Sequence, residues 1–281
     1  MWRRPGVRAE LSWWPAEGRQ ELQRVDYNKA QYRDYARGRA LQPAQLAAWK
    51  TAFAARLPAR RPLAGLDLGS GTGRFTPVLA DQFGPVTGVE PADRMREIAI
   101  GDSAHPDVRY LAGSAEDIPL LDRSVDYTLI FCVWHHVQDK SRAAREIARV
   151  TRPGGTLLLR AQFSDHMPRL WWLEYFPRGQ EAHPAPFQPL TDVRGVFEAA
   201  GWQATDFAVI EEPSPGTQAA MLERLRLRTF SVFEQLTAAE LATGFERLEA
   251  AVAADPDKPV PPEPSTLLTM TVGKRRHSRR A

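Results

Sequence analysis

The chain has 281 residues, 43% of them hydrophobic and 25% charged, with a formal net charge of +3. This is the make-up of a water-soluble globular protein with a sizeable core, and no apolar run approaches the ~20 residues that span a bilayer. The opening Met1-Trp2-Arg3-Arg4-Pro5-Gly6 lacks the apolar stretch of a secretory signal and the single cysteine, Cys132, precludes an internal disulfide, so the expected compartment is the cytoplasm.

Residues 1–40 are rich in Arg, Tyr and Trp and read as an extension with short helices. From Pro43 to Leu57 a helix is predicted, because Leu46, Trp49, Phe53 and Leu57 recur at spacings of three and four. Strands are then predicted at 63–68, 86–90, 107–111, 125–133 and 155–162, and helices at 74–82, 92–100, 139–150 and 192–200. This alternation argues for a parallel, doubly wound α/β sheet. Val125–Val133 is almost wholly apolar, as befits a strand covered on both faces. Arg152-Pro153-Gly154-Gly155 reads as a turn between a helix end and a new strand. Further strands are expected at 202–210 and 266–272. Between them, Leu222 to Leu236 and Leu241 to Val252 pattern as two amphipathic helices, and the Pro-rich stretch 256–264 reads as a loop. The expected organisation is a helical extension or lid at 1–58, a core at 59–212, a helical insertion at 213–265, and a last strand with a tail at 266–281. The tail Lys274-Arg275-Arg276-His277-Ser278-Arg279-Arg280 carries five cationic residues and no acid, and is read as a solvated terminus.

The chemistry begins at Leu66-Asp67-Leu68-Gly69-Ser70-Gly71-Thr72-Gly73, where a strand passes through three alternating glycines into a helix. Glycine permits positive φ and a close approach of backbone to ligand, and the following helix offers unpaired N–H groups. A dinucleotide fingerprint needs glycine where Arg74 stands, and a phosphate loop needs a Gly-Lys-Ser/Thr that is absent. Glu90 ends the next strand about 20 residues on, a placement suited to a pair of ribose hydroxyls.

Over about residues 60–210 these motifs resemble the class I S-adenosylmethionine-dependent methyltransferases of the small-molecule type. The matching motifs are Leu66–Gly73, Val86–Glu90, Gly113-Ser114-Ala115-Glu116-Asp117-Ile118-Pro119, and Val125–His136 followed by Arg152–Gly155. The resemblance implies a Rossmann-like sheet of seven strands, mostly parallel with the last antiparallel. It also implies S-adenosyl-L-methionine as cofactor. Asp67, Gly69, Ser70, Gly71 and Gly73 would hold its methionine part. Glu90 would hold the ribose, with Pro91 and Met95 beside the adenine and Ala115 and Glu116 at its edge. Phe131 would contribute backbone contacts to the amine. In the extension, Tyr27, Tyr32, Arg33, Tyr35 and Arg39 fall where related enzymes fold a helix over the cofactor, and an Arg there would pair with its carboxylate.

The acceptor side is expected beyond the carboxyl ends of the strands. His136 and His135 are candidate general bases, although the pair equally reads as a structural feature. Trp134, Trp171, Trp172, Tyr175 and Arg160 are candidate substrate contacts, the tryptophans and the tyrosine equally readable as core. Asp165, His166 and Glu174 lie nearby, and His183 reads as a loop residue. Cys132 reads as a small core residue, since it lacks the preceding proline of cytosine-5 methyltransferases. No metal-ligand spacing accompanies the histidines. The expectation is methyl transfer to a small, apolar or aromatic metabolite, O-methylation first and N- or C-methylation next. Neither nucleic acid nor a membrane is expected as partner, and the chain should be a monomer or homodimer. A tRNA or rRNA methyltransferase and a non-catalytic cofactor-binding module are the alternatives. Salt-sensitive RNA binding would mark the former, and cofactor binding without transfer the latter.

Overall fold

The computed structural model describes residues 32–273, with the side chains of Tyr32 and Arg33 outside that description. Tyr27 and the basic tail therefore lie outside the described residues. Seven strands form one sheet: β1 (Gly65–Leu68), β2 (Val86–Val89), β3 (Val108–Leu111), β4 (Val125–Phe131), β5 (Thr151–Arg160), β6 (Trp202–Glu212) and β7 (Glu263–Val272). Their order is β3-β2-β1-β4-β5-β7-β6, and β7 runs antiparallel to both neighbours while the first five strands pair in parallel. Every residue of β1 and β2 is buried, as are the first six of β4, so these strands carry apolar residues on both faces.

The helices are α1 (Tyr32–Gly38), α2 (Pro43–Ala54), α3 (Thr76–Phe83), α4 (Asp93–Asp102), α5 (Lys140–Val150), α6 (Pro177–Ala182), α7 (Leu190–Ala199), α8 (Gln218–Arg226) and α9 (Ala238–Ala254). α5 shows why such segments fold locally. Asp139 caps it by accepting from the Arg142 amide at 2.8 Å, and Ala143, Ala144, Ile147 and Val150 form its buried stripe. That stripe joins one apolar cluster with Leu66, Ile130, Leu157, Trp134 and Phe197. A second, around Trp49, Phe53, Phe83, Tyr127 and Leu158, sits on the other face of the sheet.

A third cluster is separate from the sheet. Leu170, Trp172, Leu173 and Phe176, which follow β5, pack with Met221, Leu225, Phe233, Leu241 and Leu248 from the segment between β6 and β7. The two excursions thus share a core of their own. α9 passes so close to Phe176 that a Cβ at Gly244 would enter the phenyl ring.

The structure adjusts three sequence expectations. The helix expected across Leu222–Leu236 is broken: α8 ends at Arg226, Arg228 takes φ 51°, and a short 3-10 turn covers Ser231–Gln235. Arg152-Pro153-Gly154-Gly155 is an irregularity inside β5, because Val125 pairs with Thr151 and Tyr127 with Thr156. β7 begins at Glu263, within the stretch read as a loop. Pro264 is tolerated because β5 pairs only from Leu267 onward, so the first part of β7 bonds on one side alone. Among the described residues no helix is long and apolar enough to cross a membrane.

Candidate functional site

Chain order reverses between β1 and β4, and the crevice beyond their carboxyl ends is where ligands bind in open α/β sheets. A cavity of about 130 Å³ lies there. Its floor is the turn after β1, in which Gly69, Gly71 and Gly73 hold φ of 72°, 57° and 81°. A Cβ on Gly69 would meet Val133 at 2.5 Å, and one on Gly73 would meet Tyr110 and Ser103. At Gly71 the nearest atom is Met95 Cε at 3.6 Å, and Met95 itself lines the cavity. The turn therefore presents bare backbone to the space above it.

Two buried carboxyls flank that floor. Asp67 accepts from the Thr76 hydroxyl at 2.7 Å, and burial pushes it up to about 6. Glu90 accepts from the Gly71 amide at 3.0 Å and the Ala92 amide at 2.9 Å, and burial raises it despite these bonds. Pro91 and Phe131 complete the wall. Phe131 is fixed by Phe75, centroid to centroid 4.4 Å, and by Trp49 at 4.9 Å.

Arg74 brings a cation into the same cavity. Its guanidinium lies 5.2 Å from the Phe131 ring and donates to the Arg39 carbonyl at 2.6 Å. Burial lowers its pKa, and Tyr35 and Cys132 oppose that. In the sequence this residue registered only as a departure from a dinucleotide fingerprint.

Tyr35, Cys132 and His136 line this cavity and also a second one of about 110 Å³. The second is walled by Arg39, His135, Arg160, Gln162, His183 and Glu263, together with Leu170, Phe187 and Thr229–Val232. Cys132 is not a core residue within a strand. It is half-buried at φ 62°, where β4 has ended, with Arg160 Nη1 2.9 Å from its Sγ. Arg160 also donates to Ser265 Oγ at 2.9 Å, and Ser265 donates to Glu212 at 2.6 Å.

The titratable groups of this second cavity are displaced from their ordinary values. Burial, then its neighbour His136, holds His135 well below the usual imidazole value. Burial lowers His136 and His183 each to about 4. All three rings are neutral at pH 7 and act as hydrogen-bond partners. Burial, with Glu212 beside it, pushes Glu263 up to about 7. Three buried polar atoms of this wall have no hydrogen-bond partner among the described residues: Glu263 Oε1, Arg160 Nε and Thr229 Oγ1.

Several expected contacts lie elsewhere. Trp134 is 2% exposed and packs on Phe197 at 4.6 Å beneath α7, facing core rather than cavity. Trp172 is fully buried among Phe176, Phe230 and Phe233, while Trp171 and Tyr175 pack against the same cluster. None of these four lines either cavity, because the aromatic run serves as core for the excursions. Ala115 and Glu116 also lie outside the lining. Glu116 accepts from the amides of Gln138 and Asp139 at 2.9 and 3.3 Å, bracing the entry to α5. His166 pairs with Asp165 at 3.0 Å, outside both cavities, whereas His183, read as a loop residue, does line the second. Tyr35 and Arg39 of the extension reach the cavities.

Comparison with known proteins agrees with this geometry. Residues 66–159 match the methyltransferase domain family. An uncharacterized methyltransferase of Mycobacterium tuberculosis (strain ATCC 25618 / H37Rv) is 40% identical over 139 residues, 50% of this chain and 52% of that protein. The chain thus spans about half the length of the curated relatives it matches. Among solved structures, a putative methyltransferase from an antibiotic biosynthesis pathway of Anabaena variabilis ATCC 29413 superposes with TM-score 0.66 at 21% identity. That match covers 79% of this chain and 96% of that one. Phosphoethanolamine N-methyltransferase 2 of Haemonchus contortus, in complex with S-adenosyl-L-methionine, does so with TM-score 0.53 at 16% identity, covering 80% of this chain and 52% of that one. Residues 66–159 thus carry a methyltransferase domain, on a sheet whose fold is that of these solved structures.

Proposed function

We propose that the protein transfers the methyl group of S-adenosyl-L-methionine to a small acceptor held in the second cavity, with a hydroxyl oxygen as the favoured nucleophile. The observation that carries this reading is the junction of the two cavities at Tyr35, Cys132 and His136. One cavity has the furnishings of a donor site, the other those of an acceptor site, and they share a wall.

The residues of the first cavity fit the cofactor. The glycine floor offers backbone to a flat, extended molecule, Glu90 faces its ribose hydroxyls, and Pro91 and Met95 flank the adenine. Arg74 supplies the cation that the methionine carboxylate requires, the place the sequence reading gave to an Arg of the extension. When bound, the cofactor supplies an electrophilic methyl on a sulfonium. The chain's part is to align, to exclude water and to handle the proton. Phe131 and Tyr35 present aromatic surface beside the donor site, which suits a cation and repels water. His136, neutral at pH 7 and lining both cavities, orients the acceptor's hydroxyl by accepting its hydrogen bond. The His135 ring lies against it, centroid to centroid 3.9 Å and tilted by 42°.

The second cavity also revises the acceptor. Its lining of two arginines, three histidines, a glutamine and a glutamate favours a polar small molecule over an apolar one. Tyr35 and Arg39 of the extension and Thr229–Val232 of the 213–265 segment wall this cavity, which suits a lid and a cap over a small molecule. Incubation with methyl-labelled S-adenosyl-L-methionine and fractionated metabolite extract tests the proposal. Label should enter a low-mass polar compound. Label in RNA alone, or in nothing while the cofactor binds, would contradict it.

A further inference from the structure

Among the described residues Glu263 is the one acid lining the acceptor cavity, and it is not among the three residues shared with the donor cavity. It opens β7, paired only with Glu212 at the end of β6. The two carboxyls have divided their partners unequally. Glu212 is 9% exposed and takes the Ser265 hydroxyl at 2.6 Å and the Gln45 amide at 3.4 Å. Glu263 Oε1 is buried and receives no hydrogen bond from the described residues. A buried carboxyl oxygen without a donor is destabilising, and such a cost persists where a ligand relieves it. The charged groups around it are Glu212 on β6, Arg160 on β5, Arg39 after α1 and Arg224 on α8. Arg160 directs its Nη1 and Nη2 to Cys132 and Ser265, and Arg224 donates to the carbonyls of Gly38 and Ala40 at 3.1 and 2.9 Å. No hydrogen bond from either of these cations reaches Glu263 Oε1.

We infer that Glu263 is a specificity-determining residue, which selects methyl acceptors by accepting a hydrogen bond from a hydroxyl or amine N–H at a wall distinct from the nucleophile's. This rests on the second cavity being the acceptor site. A polar anchor of this kind discriminates strongly, because an analogue without the donor leaves the carboxyl unpaired. The elevated pKa of Glu263 agrees with a buried, unpartnered acid: burial raises it most, and Glu212 beside it adds to the rise.

The test uses the full chain loaded with S-adenosylhomocysteine and four small probes of similar size: phenol and aniline, which donate, and toluene and anisole, which do not. Ligand-observed NMR titration at about pH 8.5, above the raised value of Glu263, should show the donors binding about tenfold tighter than the non-donors, as one buried charge-assisted hydrogen bond predicts. Glu263→Leu should abolish that preference. Glu263→Gln, which keeps the shape and an acceptor oxygen, should reduce it about threefold and guards against a Leu variant that fails to fold. S-adenosylhomocysteine affinity should stay within about twofold in both variants. Equal binding of all four probes, no binding of any, or a preference unchanged in both variants overturns the assignment of Glu263. Loss of S-adenosylhomocysteine binding by the native protein would instead overturn the methyltransferase reading itself.

Discussion

The two cavities share three residues but are built in opposite ways. The donor cavity is largely backbone and sequence-local. Its floor is one turn, and its walls come from the ends of β1, β2 and β4. The acceptor cavity is made of side chains from segments spread between Tyr35 and Glu263, roofed by excursions that carry their own core. A site made of backbone tolerates almost no change at its glycines. One made of side chains can be refashioned one residue at a time. On the proposed reading the methyl donor is therefore fixed by the turn, and the acceptor by side chains that β5 and β7 supply together with the excursions.

Substitutions that load one region and spare the other sharpen this contrast. The largest effect is expected from Gly69→Val. A branched side chain at φ 72° is strained and would strike Val133, so S-adenosylhomocysteine binding should be abolished in a calorimetric titration. Retained binding would mean that the floor is not backbone-limited.

Next comes a pH effect at the shared wall. His136 has a folded pKa of about 4, below the ordinary 6.5, so the folded state resists protonation. Stability is then lost as pH falls from 6.5 through 4, by at most about 3 kcal/mol, and levels off below. His136→Gln should flatten that part of the denaturation-midpoint profile and lower methyl transfer far more than cofactor affinity. An unchanged profile removes His136 as its source.

Gly244→Ala should act on the cap alone. The added Cβ meets Phe176, and overpacking costs about 1–3 kcal/mol. The thermal midpoint should fall while S-adenosylhomocysteine affinity holds within about twofold, since Gly244 touches nothing in the donor cavity. A parallel loss of affinity would show the two regions to be one cooperative unit. The smallest effect is expected from Cys132→Gly. Relief of positive φ and loss of the contact to Arg160 should nearly cancel, leaving stability within about 1 kcal/mol by denaturant titration.

The same contrast explains what could be read from sequence. Backbone chemistry writes itself into glycine spacing, and strand burial into apolar runs, so the sheet, its strand ends and the turn at Leu66–Gly73 were legible. The structure gathers Asp67, Glu90, Pro91, Met95 and Phe131 around that turn because each lies at or just past the carboxyl end of a strand or in the first turn of the next helix. Arg74 was misweighed because a pattern comparison sees a missing glycine and not a buried cation. The acceptor wall was less legible for a physical reason. Trp171–Tyr175 has the composition of a ligand wall and of a core alike, and only the packing of α8 and α9 onto Trp172 and Phe176 decides for core. Glu263 hid in a proline-rich stretch whose strand character depends on one-sided pairing with β6. Arg228, with its positive φ, broke a helix that periodicity alone would have continued.

The central claim is that the turn after β1 and the carboxyl of Glu90 form a donor site for S-adenosyl-L-methionine. Calorimetric titration of S-adenosylhomocysteine into the native protein and Glu90→Ala tests it most directly. The account predicts one site per chain in the native protein and an affinity at least about 10-fold weaker in the variant, the loss expected for a charge-assisted hydrogen-bond pair. No heat of binding in the native protein, or equal affinity in the two, would contradict it.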